Sequence, residues 1–115
     1  MSVSFVIGKG IESAEYAEDA IEFSEEIQQF LSKNRDIFSK DISKLVDIDP
    51  YADTCITSDD VLVIRDIAIS IKNDIAAKES NSSDMIDEVI EFTTELIDFC
   101  NEAMEKGLNL IAVGD

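Results

Sequence analysis

The chain contains no histidine. That removes the side chain most often used for acid–base catalysis near neutral pH, and the commonest metal ligand. It also excludes a carboxylate-bridged di-iron bundle, whose Glu-x-x-His motif requires one. Tryptophan is absent, and proline occurs once, at Pro50. The two cysteines, Cys55 and Cys100, form neither a CxxC motif nor a disulfide framework, and they read as reduced thiols. No nucleophile elbow and no phosphate-binding loop is present. No unbroken aliphatic run is longer than Val61–Ile64, far short of the roughly 20 residues a membrane span needs. The first residues lack a basic stretch leading into a long apolar segment, so no signal peptide is expected and the cytoplasm is the expected compartment. Catalysis, a cofactor and a metal site are therefore not expected.

Bases are the scarcest resource. Nine lysines and arginines face 26 acids, giving a formal net charge of −17. Solubility of a small domain asks only for a magnitude of about 2–8. Such a surface repels nucleic-acid phosphates and anionic membranes and attracts basic proteins. The expected partner is a basic protein, with no direct contact to nucleic acid or membrane, and a monomer is expected when the chain is free.

What is present suffices for one folded unit. The 115 residues fit a single domain over 1–115, and 45% hydrophobic content is enough for a core. Val3–Ile7 alternates and is rich in β-branched residues, predicting a strand that Gly8 and Gly10 interrupt. From Ser13, taken as a cap, Tyr16, Ala20, Phe23, Ile27, Phe30 and Leu31 recur at three- and four-residue steps, predicting a first helix. Ile37, Phe38, Ile42, Leu45 and Val46 predict a shorter second one, ended by Pro50. A third begins after Thr57 or Ser58. Its arc of Val61, Leu62, Ile64, Ile67, Ala68, Ile71 and Ile75 should be the most buried, although its β-branched residues also suit a strand. Ser83 caps a fourth helix carrying Met85, Val89, Phe92, Leu96, Phe99, Cys100 and Ala103, which Gly107 terminates. The following segment, "LNLIAV", reads as a strand able to pair with the first. The expected fold is mainly α: a three- to four-helix bundle with a two-strand element from the chain ends.

The fourth helix carries Glu88, Glu91, Glu95 and Asp98 on the arc opposite its apolar stripe, with no base between Lys78 and Lys106. Carboxylates three or four apart repel by about 0.2–0.5 kcal/mol per pair. Glu18, Glu22 and Glu25 repeat the pattern in the first helix, alongside Glu26. These ridges are candidate docking surfaces for a basic partner, where arriving lysines and arginines relieve the repulsion. The stretch "DIDPYADTCITSDD" supplies further candidates in Asp49, Tyr51, Asp53, Asp59 and Asp60. It is not an EF-hand loop. Counted from Asp47, position 6 is Ala52 rather than glycine, and position 12 is Ser58 rather than glutamate. A turn initiated by Asp49-Pro50 fits better, with Tyr51 either packed on the core or exposed as an aromatic anchor among acids.

Two motifs, "DPYADT" (Asp49–Thr54) ahead of a capped apolar helix and a closing "KGLNLIAVGD" (the matching part being Gly107–Asp115), resemble small bacterial immunity proteins of polymorphic-toxin and contact-dependent growth inhibition systems. The resemblance implies a cytoplasmic inhibitor that binds a cognate toxin domain, often a basic nuclease; it carries over no contact residues. Two alternatives stand beside it: a nucleic-acid mimic that occupies the groove of a DNA- or RNA-binding protein, and an adaptor or chaperone for a basic secreted protein.

Overall fold

A computed structural model of the chain describes residues 3–12, 17, 19–49, 51–77 and 84–114. Two long helices dominate it. Helix α3 (Ser58–Ala76) starts as Val61 N–H donates to Thr57 O at 2.8 Å, with Asp59 and Asp60 in the first turn, where the helix dipole favours anions. It buries Val61, Ile64, Ile67, Ala68, Ile71 and Ile75, so the segment that also suited a strand is helical throughout. Leu62, expected inside, faces out at 42% exposure. Helix α4 (Asp84–Lys106) buries Val89, Phe92, Thr93, Leu96, Cys100 and Ala103. It ends as the sequence predicts, with Gly107 at φ 67°. Leu108 N–H donates to Ala103 O at 2.8 Å and Gly107 N–H to Met104 O at 3.3 Å, the two bonds of a Schellman closure.

The expectation of a helical bundle with two strands is overturned. Strands β1 (Val3–Gly8), β2 (Ile21–Phe23), β3 (Thr54–Ile56) and β4 (Asn109–Val113) form one four-stranded sheet in the order β2-β1-β4-β3. All three pairings are antiparallel. The expected pairing of the first and last strands is its centre: Phe5 lies opposite Ala112 and Ile7 opposite Leu110. The register places Val3, Phe5, Ile21, Phe23, Ile56, Leu110 and Ala112 on one face, where they join the core. Helix α4 packs across β1, β2 and β4, and α3 packs along α4 and against β4. The Phe5, Phe23 and Phe92 rings knit sheet to helix, with centroids 4.8 Å apart for Phe23–Phe92 and 6.0 Å for Phe5–Phe23.

The first predicted helix is therefore shorter than its periodicity suggested. Ile21-Glu22-Phe23 has a period of two, and pairing with β1 buries both apolar residues while Glu22 stays exposed. Phe23 falls four residues before Ile27, so one apolar pattern runs unbroken across a strand–helix boundary. Helix α1 (Glu25–Lys33) is capped by Ser24, whose Oγ accepts from Ile27 N–H at 3.2 Å. The Ser13 cap, Glu15, Tyr16, Glu18, Pro50 and the Ser83 cap lie outside the described residues. The second predicted helix reduces to a 3₁₀ turn at Arg35–Ile37 and one turn of helix, α2 (Ser43–Val46). Gln28 joins α1 to it by donating Nε2–H to Val46 O at 2.7 Å. Among the described residues, no helix is long and apolar enough to cross a membrane.

Candidate functional site

The acids are unevenly placed. Helix α4 bears eight of them (Asp84, Asp87, Glu88, Glu91, Glu95, Asp98, Glu102, Glu105) against Lys106 alone. Between Arg35 and Asp47, by contrast, Arg35, Lys40 and Lys44 balance Asp36, Asp41 and Asp47. Helix α4 thus carries uncompensated charge, and α1 packs against it. The first turn of α1 holds Glu25 and Glu26. Adjacent helical positions point about 100° apart, and these two enter different grooves on either flank of the helix.

The groove between α1 and α4 has a volume of about 360 Å³. Glu22, Ser24, Glu26 and Ile27 line one side, and Glu88, Glu91, Phe92 and Glu95 the other. Strand β2 and the Ser24 cap fix the first wall, bringing Glu22 and Glu26 within the same cleft. On α4, positions 88, 91 and 95 share an arc through their three- and four-residue spacing. Ile27 and Phe92, 6% and 3% exposed, give the groove an apolar floor. Five glutamates line it and no base does. Among the described residues, no lysine or arginine forms an ion pair with any of the five. Asp98 is exposed one turn beyond Glu95 and extends the ridge.

The second groove, of about 260 Å³, lies between α1 and the connection after α2. Glu25, Gln28, Gln29 and Ser32 line it from α1, facing Val46, Asp47 and Tyr51. Tyr51 is 65% exposed, which decides the open alternative in favour of an exposed ring. Asp49 props it: Tyr51 N–H donates to Asp49 Oδ1 at 2.8 Å.

Of the remaining loop candidates, Asp53 and Asp60 are bonded within the protein. Asp53 Oδ1 accepts from Gly114 N–H at 3.0 Å, tying the segment ahead of β3 to the end of β4. Asp60 pairs with Lys44 at 2.8 Å, joining α3 to α2. Asp47 holds the Arg35 guanidinium. Asp59 is exposed in the first turn of α3. So Glu22, Glu88, Glu91 and Glu95 come together in one groove and Glu25 meets Tyr51 in the other, whereas Asp49, Asp53 and Asp60 lie outside both and are bonded within the chain. Glu18 lies outside the described residues. The sequence reading placed Glu26 in the first-helix ridge but did not nominate Gln28 or Gln29. The signal was "SEEIQQ", which places these side chains on both flanks of a helix once Ser24 is taken as its cap.

Among the described residues, no group of three acidic or thiol side chains is placed to hold a metal ion. Cys100 is buried, and desolvation pushes its thiol up to about 12, against a smaller opposing pull from Arg65, so it is a packing residue rather than a nucleophile. Comparison with protein-family models, with curated proteins and with solved structures returned no match.

Proposed function

We propose that this protein is a stoichiometric inhibitor that acts in the cytoplasm as an immunity protein, binding a cognate toxin domain and covering its basic, substrate-binding surface. The observation that carries this reading is the α1/α4 groove: five glutamates on an apolar floor with no base among its lining residues. A merely solvated surface gains from interspersed lysines, as the Arg35–Asp47 stretch has them. The ridge Glu88, Glu91, Glu95, Asp98 instead retains three like-charge contacts, costing roughly 0.6–1.5 kcal/mol when exposed. A partner bearing lysine and arginine relieves that repulsion on docking, and complementary fields speed the encounter. A nuclease surface, built to hold phosphates, has the required chemistry.

The test is co-expression and kinetics with the protein encoded by the neighbouring reading frame. The reading expects a tight one-to-one complex in which the partner's toxicity and any nuclease activity are lost. No complex, or a complex with the partner fully active, refutes inhibition. Competition by duplex DNA for several unrelated basic proteins would replace immunity with mimicry.

A further inference from the structure

Helix α3 keeps an apolar stripe that the fold leaves uncovered. Leu62, Val63 and Ile69 are 42%, 40% and 38% exposed, and only Ile11 and Tyr51 join them as exposed large hydrophobic side chains among the described residues. Leu62 and Ile69 stand seven positions apart, two turns along one face. Arg65 lies between them, three positions after the first and four before the second, so it neighbours both. Its guanidinium reaches across to α4, where Nη1 donates to Asn101 Oδ1 at 3.2 Å. Asn101 in turn lies three positions after Asp98 and four before Glu105, both exposed. The Arg65–Asn101 bond is therefore a seam, bordered by the apolar stripe on α3 and by the acidic ridge on α4. Asn101 points about 120° around α4 from Glu95, so the seam lies on the flank away from the α1 groove. The charges beside the stripe on α3 balance, Asp59 and Asp66 against Arg65 and Lys72, with Arg65 Nε 3.8 Å from Asp66 Oδ1. Across the seam they do not. Helix α4 sets eight acids against Lys106, and among the described residues neither Asp98 nor Glu105 forms an ion pair.

We propose that the α3 stripe is the apolar centre of the partner interface: the basic partner seats apolar side chains on Leu62 and Ile69 while its lysines and arginines reach over the seam to Asp98 and Glu105. The assignment rests on the basic-partner reading and adds to it the place where water is excluded. Carboxylates alone supply a rim that salt screens, whereas a lasting complex takes its affinity from an apolar centre within such a rim. The stripe by itself would not name its occupant. The ridge beside it does, because uncompensated carboxylates one seam away favour a basic surface. They also disfavour a second copy of this chain, which brings a further net charge of −17.

The experiment is surface-capture kinetics of the intact chain against the neighbour-encoded protein, with sedimentation of the free chain beside it. Leu62→Ala with Ile69→Ala should speed dissociation about tenfold or more and leave association within about twofold of wild type. Leu62→Met with Ile69→Met should hold the slow dissociation, because apolar bulk is kept. Glu91→Lys with Glu95→Lys should act on association instead, so rim and centre separate kinetically. Both native side chains are exposed and alanine favours a helix, so the alanine pair stays folded, which circular dichroism checks. Wild-type dissociation in the folded alanine pair overturns the stripe and leaves the basic-partner reading standing. If wild type forms no complex, that reading fails and the stripe with it. The free chain should sediment as a monomer; a dimer that the alanine pair dissolves assigns the stripe to a second copy and overturns the proposal.

Discussion

Replacing Glu91 and Glu95 with lysine separates the two consequences of the α4 ridge. In the native helix Glu91 faces Asp87 and Glu88, and Glu95 faces Glu91 and Asp98, all at three- or four-residue spacing. The double exchange turns three of these contacts from like to opposite charge, while positions 91 and 95 still repel each other. Reversing one contact is worth about twice the 0.2–0.5 kcal/mol of a single helical pair, so the three together give roughly 1–3 kcal/mol before screening. Salt and exposure bring the expected gain toward the lower end. The variant should therefore melt a few degrees higher than wild type at low salt, and the difference should shrink as salt is added. Binding should move the other way. The double exchange also shifts the charge along the wall of the α1/α4 groove by four units, from two negative to two positive, so association with the neighbour-encoded partner should slow and its salt dependence should flatten. Calorimetric melting and surface-capture kinetics at several ionic strengths read the two arms separately. A folded variant that associates at the wild-type rate with the wild-type salt slope would show that the ridge is only a solvated face.

Three further outcomes follow from single features. Gly107→Ala should destabilise by about 1–2 kcal/mol purely through backbone strain, because φ is 67° and a Cβ there would meet nothing within 4 Å; urea melts measure it, and an unchanged midpoint refutes the strain. Ellman's reagent at pH 8 should label Cys55 in the folded protein and leave Cys100 unreacted until denaturant is added, since a thiol near 12 is almost wholly protonated there; immediate labelling of both would contradict the packing. Calcium should leave the melting temperature unchanged, whereas a specific site would stabilise by about 2.7 kcal/mol at a hundredfold excess over its dissociation constant; a rise abolished by Asp49→Ala and Asp53→Ala would restore a cation-binding loop.

How much of this was legible in the sequence depended on the length of each pattern. Helices α3 and α4 run for 19 and 23 residues, long enough for the 3.6-residue period to establish itself, and Gly107 marked where α4 ends. Strands β2 and β3 have three residues each, too few for a period of two to stand out. Ile21 and Phe23 could be counted equally well toward the helix that follows, and only pairing with β1, a contact far off in sequence, settles their side. Thr54-Cys55-Ile56 was masked by the aspartates around it. The same limit applied to the site. The α4 ridge was readable because one helix carries it, but its convergence with Glu22 and Glu26 depends on tertiary packing. The loop aspartates show the opposite case: composition marked them, and their hydrogen bonds to Tyr51 and Gly114 are invisible until the chain is folded.

The strand order bears on how the molecule is made. Strand β4 is the inner strand that joins β1 to β3, and it is synthesised after every other described element. Until it leaves the ribosome, β1 lacks its inner neighbour and β3 has no strand to pair with. The core face of the sheet, with Phe5 and Phe23, then lacks Leu110 and Ala112 of β4. Closure therefore joins the two most distant described parts of the chain in one late step, and loop-closure entropy makes such long-range pairing slow. The excess of acids over bases opposes association between copies whose apolar strands are still uncovered.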